Sequence, residues 1–227
     1  MTQNTVNALI FDLDGVLVDT MRIHFQAWEA LAEDHQLPFD QAMKDSFRGL
    51  PQSKCIKRLF ANQALSETDT HKILQQKNDT YQAIIHDTPP NKLLVDGVLK
   101  FLESARNINL KLGIASSSVS ADMVIQHTGL NNYVDVVANG LTVNNGKPAT
   151  DIFVWVAGAL RTLPSHCIVF EDGLVGLQAA RQAGMFSVGI GTGYWLAENA
   201  NWQFSDMKSI QLKHLLEQVI EHNKEAI

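Results

Sequence analysis

Ala8-Leu9-Ile10-Phe11-Asp12-Leu13-Asp14-Gly15 is the stretch on which the reading of this chain turns. The apolar run closing at Phe11 has no alternation, as expected of a strand buried on both faces; the strand is placed over Val6 to Phe11. Two carboxylates follow where it ends, two residues apart, and Gly15 lets the backbone turn there. Three further apolar runs, Leu110–Ala115, Cys167–Phe170 and Phe186–Ile190, and a short one at Val134–Ala138, alternate with helical patterns. The helices are expected over 98–105, 119–128, 152–160, 174–183 and 210–222. Strands alternating with helices predict an α/β fold, a doubly wound parallel sheet covered on both faces.

One block breaks the alternation. Ile23, Ala27, Trp28 and Leu31 recur at helical spacing, and Leu37-Pro38 ends that helix. A second helix follows Pro51, and Ser66-Glu67-Thr68-Asp69 starts a third that Thr88-Pro89-Pro90 stops. Residues 18–90 therefore read as an inserted helical cap domain, and 1–17 with 91–227 as the catalytic core. Gly189-Ile190-Gly191-Thr192-Gly193 is only loosely like a nucleotide loop; with Tyr194 in place of a further glycine and no helix evident after it, it reads as a strand-end turn.

Composition narrows the function. The chain has 227 residues, 45% of them hydrophobic, enough for a substantial core. A formal charge of −6 without a basic cluster argues against nucleic acid and anionic membranes as partners. No apolar run is long enough for a bilayer, and the polar start has no secretory pattern. Two distant cysteines, Cys55 and Cys167, suit a reducing cytoplasm. A monomer is expected.

In an open α/β sheet, ligands bind beyond the carboxyl ends of the strands. Asp12, Ser116 and the pair Glu171-Asp172 all fall there. A carboxylate beside a divalent cation can attack phosphorus, and a second two residues on can protonate the leaving oxygen. Asp-Gly is also an ordinary turn dipeptide. A calcium loop would need more oxygen ligands than Val16, Leu17 and Val18 supply. Glu171-Asp172 could complete a magnesium site, or merely favour a helix N-terminus. Ser116, with the backbone amides of Ser117 and Ser118, could donate to phosphate, or the serines could be a plain N-cap. Lys147 could neutralise phosphoryl charge, or be a surface lysine. Taken together they point to a magnesium-dependent site that moves a phosphoryl group.

Asp12-Leu13-Asp14-Gly15-Val16, then Ser116, Lys147 and Glu171-Asp172 in that order, resemble the haloacid dehalogenase superfamily, and the acid at the second Asp of Asp-x-Asp points to its phosphotransferases. Asp19-Thr20, His24-Phe25-Gln26-Ala27-Trp28, Lys77-Asn78-Asp79 and Lys147-Pro148-Ala149-Thr150-Asp151-Ile152-Phe153 are similar to its β-phosphoglucomutase-like branch. The resemblance implies a Rossmann-like core with an inserted helical cap. It implies Asp12 as nucleophile and Mg2+ ligand, and Asp14 as acid/base that gives its carbonyl to the metal. Glu171 and Asp172 complete the metal site, and Ser116 and Lys147 hold the phosphoryl group. Thr20, His24, Trp28, Gln52, Lys77, Asn78, Ser117 and Ser118 are the implied substrate-binding residues. Gln52 and Val119 stand where the mutases carry an arginine and a lysine for a second phosphate, with Arg48 nearby as a substitute cation. Loss of two charge-assisted contacts favours a phosphatase of a small phosphate monoester, a sugar phosphate, over an isomerase. A non-catalytic sugar-phosphate-binding module is a third reading, disfavoured because every catalytic position is filled.

Overall fold

The computed structural model describes residues 6–47, 52–61 and 63–225. The chain forms two compact units, residues 1–19 with 90–227, and residues 20–89.

The larger unit is built on six strands: β1 (Ala8–Phe11), β2 (Lys111–Ala115), β3 (Val136–Ala138), β4 (Cys167–Glu171), β5 (Phe186–Ile190) and β6 (Trp202–Phe204). They form one sheet in the order β3-β2-β1-β4-β5-β6, every neighbouring pair parallel. β1 is central, and all four of its residues are fully buried, as its unbroken apolar sequence requires. The chain winds outward from β1 through β2 to β3, then returns to the other side of β1 with β4. The order therefore reverses between β1 and β4, and a crevice opens beyond the carboxyl ends of those two strands.

Helices of this unit cover the sheet: α5 (Pro90–Leu93), α6 (Val98–Asn107), α7 (Ala121–Thr128), α8 (Asp151–Ala159), α9 (Leu174–Gln182), α10 (Tyr194–Asn199) and α11 (Leu212–Glu225). Ile152, Phe153, Val156 and Ala157 of α8 share a core with Ala8, Ile10, Ala115 and Val169. Phe11 stacks on Phe170 at 4.8 Å between ring centres, and Phe101 of α6 meets both edge-on. The strand ends that carry the functional residues thus stand on a rigid base.

The smaller unit holds α1 (Met21–Asp34), α2 (Gln41–Phe47), α3 (Gln52–Leu59) and α4 (Glu67–Asp87). Ser66 caps α4, its hydroxyl accepting from the Asp69 amide. Trp28, Leu31, Phe47, Ile56, Phe60 and Ile73 form its core.

Two expectations change. The strand-end turn at Gly189–Gly193 is followed by a helix after all: α10 starts at Tyr194 with Gly193 as its N-cap, and Gln203 Nε2 ties Gly191 and Gly193 by donating to both carbonyls. Six residues are too few for a helical period to register in sequence. The helix read from Val119 begins at Ala121, because the Ser118 and Ser120 amides donate to the Ser116 and Ser118 hydroxyls in successive turns ahead of it. Among the described residues no helix is long and apolar enough to cross a membrane. Both cysteines are buried, and neither is in a disulfide.

Candidate active site

The register places the first acid. Phe11 pairs with Ile114 on one side and Phe170 on the other, so Asp12 lies one step past both pairs, at the mouth of the crevice. Its amide donates to Phe170 O at 2.9 Å, which extends the ladder by one bond and fixes the carboxylate between β2 and β4. Asp12 is 8% exposed. After it the chain folds back on itself. Gly15 N donates to Val18 O, and the Leu17 and Val18 amides both donate to Leu13 O. Gly15 has φ +87°, and a Cβ there would run into the Asp172 carboxylate. Glycine is therefore required twice over, for its dihedral and for room. Asp14 sits half-buried in this turn.

β4 delivers Glu171 as its last residue and Asp172 immediately after. Asp12, Glu171 and Asp172 each offer a carboxylate oxygen, and the three oxygens lie within 4.8 Å of one another. Glu171 is held from both ends: Oε1 accepts from Gly173 N at 3.2 Å and Oε2 from Lys147 Nζ at 2.8 Å. Gly176 of α9 leaves the space that the Glu171 carboxyl occupies, since a Cβ there would collide with it.

Lys147 enters from the loop between β3 and α8, before a cis bond to Pro148. Its side chain is 4% exposed. Nζ donates to Asp12 Oδ1 at 2.5 Å as well as to Glu171, and lies 4.9 Å from the centre of the Phe153 ring. An ammonium has three N–H donors. Two are used, which leaves one for a third acceptor.

The electrostatics follow from burial and crowding. Burial pushes the Asp172 carboxyl up to about 7, repulsion from Asp12 adds to it, and Lys147 partly opposes it. Glu171 is also pushed well above the usual carboxylate range, first by burial and then by Asp12. Burial alone would lower Lys147, but Asp12 and Glu171 outweigh it and hold the ammonium charged well above its ordinary range. Among the described residues, one cation, Lys147, faces three carboxylates. Three hard oxygen donors converging with surplus negative charge fit a hard divalent cation, which would restore the balance.

Ser116 follows β2 and is 1% exposed; its amide donates to Ala138 O, and its Oγ accepts from Ser118 N at 3.0 Å. The triple serine is thus a turn beyond the strand that neighbours Asp12, with the Ser116 hydroxyl hydrogen still to be donated. Ser117 is exposed and Ser118 half-buried. Val119, 52% exposed, is in the turn leading to α7.

The remaining expected substrate contacts lie in the helical unit. Lys77 is fully buried there, at the centre of an aromatic cage, 5.5 Å from the Trp28 ring and 5.0 Å from that of Tyr81. Its Nζ donates to His24 Nδ1 at 3.0 Å, and the imidazole stacks on Tyr81 at 4.2 Å. Burial, with the neighbouring Lys77 charge, lowers His24 to about 3, so the ring is neutral. Thr20 is fully buried and its carbonyl accepts from the His24 amide. Asn78 and Gln52 are half-buried, Gln52 opening α3. Arg48 lies outside the described residues. Tyr81 carries no motif of its own in the sequence; its four-residue spacing from Lys77 on α4 is the signal that ties it to the cage. The supporting roles of Phe153 and Gly176 leave no signal of their own.

A doubly wound sheet with buried acids and a lysine at its switch point defines an α/β enzyme. The family model for haloacid dehalogenase-like hydrolases matches residues 9–190, and the chain belongs to that family. It is 33% identical over 192 residues to a beta-phosphoglucomutase of Bacillus subtilis (strain 168), covering 83% of this chain and 84% of that one. It is also 33% identical over 183 residues to the fructose-1-phosphate phosphatase YqaB of Escherichia coli (strain K12), covering 80% and 95%. The solved beta-phosphoglucomutase of Clostridium difficile superposes with a TM-score of 0.85 at 30% identity, over 96% of this chain and 99% of the other.

Proposed function

We propose that this chain is a magnesium-dependent phosphatase of a small sugar phosphate, working in the cytoplasm through an aspartyl phosphate. The observation that carries it is the contact of Asp12 with Lys147 at the mouth of the crevice, with Glu171 and Asp172 beside it. Asp12, Glu171 and Asp172, with the Asp14 carbonyl, would hold Mg2+, which would supply positive charge for the phosphoryl oxygens.

Asp12, held by its contact with Lys147, attacks phosphorus. The P–O bond to Asp12 forms as the bond to the ester oxygen breaks, and Asp14 gives its proton to that oxygen. Ser116 Oγ–H and the third N–H of Lys147 donate to the phosphoryl oxygens as charge develops. In the second half, Asp14 takes a proton from water, which attacks phosphorus. Inorganic phosphate leaves and Asp12 is regenerated. His24, Trp28, Lys77 and Asn78, with Thr20 and Gln52, belong to this proposal as sugar-recognition residues of the helical unit. Two buried cysteines outside any disulfide support a reducing compartment.

A second reading, isomerisation, has support from the likeness to two beta-phosphoglucomutases, one of them over nearly the whole chain. Against it stand an amide at Gln52 and an exposed aliphatic at Val119, where a second phosphate would need cations. Phosphate release should be measured over a panel of sugar monophosphates, in parallel with conversion of β-glucose 1-phosphate to glucose 6-phosphate primed by the 1,6-bisphosphate. Phosphate release without isomerisation is expected. Efficient bisphosphate-dependent isomerisation with little phosphate release would overturn the phosphatase in favour of the mutase.

A further inference from the structure

The helices that flank a sheet normally turn charged residues outward. α6 exposes Lys100, Glu103, Ser104, Arg106 and Asn107, and α11 exposes Lys213, His214, Glu217 and Glu221. α8 does not. Its exposed residues are Val154, Trp155, Gly158 and Ala159, and none of them is polar. Val154 and Trp155 are each 43% exposed, and nothing lies within 4 Å of where a Gly158 Cβ would stand. Glycine inside an exposed helix lowers stability, yet here it opens a notch one turn from a large indole.

We propose that this face of α8 is a self-association surface, on which α8 of a second copy packs antiparallel about a two-fold axis. A two-fold interface must be complementary to itself: what one copy raises, the other must recess at the symmetric position. With the axis passing between Trp155 and Gly158, each indole seats over the partner's Gly158, and Val154 meets the partner's Ala159. Charges at the two ends of the helix then agree. Asp151 is the first residue of α8 and Arg161 stands in the turn two residues past its last, so an antiparallel pair sets each Asp151 beside the end of the partner helix that carries Arg161. Arg161 makes no side-chain hydrogen bond or ion pair among the described residues, and Asp151 is met by Asn145 at one oxygen only. The partner's Arg161 can take the other oxygen. A parallel pairing would set like charges against each other. One helix face buries less than the roughly 1,200 Å² of a stable complex, so the dimer is weak and reversible, with a dissociation constant on the order of 100 μM.

Sedimentation velocity of the full chain, from about 5 μM to about 1 mM, tests this. The mean mass should rise with concentration from one chain toward two. Trp155→Glu and Gly158→Leu should each hold the protein monomeric throughout. Gly158→Leu should at the same time raise the melting temperature, which separates a filled notch from a damaged fold. Arg161→Asp should weaken association at least fivefold, and adding Asp151→Arg to it should restore it. A wild-type chain that stays monomeric at 1 mM would overturn the proposal, and so would association that Trp155→Glu and Gly158→Leu leave unchanged.

Discussion

Replacing Lys147 by Met keeps most of the side-chain volume and the packing on Phe153 but removes the cation that, alone among the described residues, touches the carboxylates. Asp12 and Glu171 are each left without a charge partner, with side-chain exposures of only 11% and 5%. Breaking a buried ion pair from one side costs about 3–5 kcal/mol. For a chain of this size each kcal/mol moves the melting temperature by about 2–4 °C, so a fall of about 6–20 °C is expected in excess chelator. Proton uptake by Glu171 and Asp172, already pushed upward, holds the loss toward the lower end near neutral pH. Removing one of the stranded acids should recover part of it: Lys147→Met with Glu171→Gln should be more stable than the sum of the single changes by about 1–3 kcal/mol. Urea unfolding in chelator, for the wild type, both single variants and the double variant, measures every quantity needed. Should Lys147→Met unfold within about 1 kcal/mol of wild type, or the two changes add without coupling, the electrostatic account of the site is wrong.

Asp12→Asn should fold with an unchanged circular dichroism spectrum and lose at least about 10³-fold in turnover, because an amide is a poor nucleophile; steady-state phosphate release checks it. Chelation should abolish activity, magnesium should restore it, and calcium should not, since calcium takes more ligands at longer distances and would misplace the attacking oxygen; a metal titration of the chelated enzyme decides. Gly176→Ala would stabilise an ordinary helix, yet here the new methyl displaces Glu171. A loss of about 1–3 kcal/mol in urea, with a higher magnesium requirement, is the expected result. For His24, held neutral to about 3 when folded against 6.5 when free, stability is complete above pH 6.5 and falls as the unfolded chain takes up a proton below it. The loss should be about 2 kcal/mol by pH 5, and His24→Gln should remove that part of the pH dependence in urea titrations at pH 5–7.

What could be read from residues alone follows a physical line. Buried parallel strands such as β1 and β4 have no alternation to confuse, and their apolar runs end abruptly at Asp12 and Glu171, so both the strands and the chemistry at their ends are visible. Lys147 and Ser116 are different. A lone lysine ahead of a proline and a run of three serines each have a commonplace reading, and only their order relative to Asp12 and Glu171 singles them out. Short elements mostly go unseen, β3 excepted: β6 is three residues long, none of them fully buried, and α2 and α10 have seven and six residues. Neither a period of two nor one of 3.6 can show in so little chain. The outward face of α8 is hidden for the opposite reason. Asp151-Ile152-Phe153-Val154-Trp155-Val156-Ala157 is apolar nearly throughout, so sequence cannot tell the buried Phe153 from the exposed Trp155.

The fold-back after Asp14 has one more consequence. Val18 bridges Leu94 in antiparallel fashion, Asp19 N donates to Leu93 O at 2.8 Å, and Val95 N donates to Leu17 O at 3.0 Å. The chain therefore leaves the sheet and returns to it along a paired neck, as if the intervening seventy or so residues were the loop of a single hairpin. The entropy of closing such a loop grows only with the logarithm of its length. Nearly anything that folds by itself could hang from this neck at small thermodynamic cost to the sheet. A short turn joining Asp19 to Pro90 would close it as well, and the three strand ends that assemble the acids and serines would not have to move.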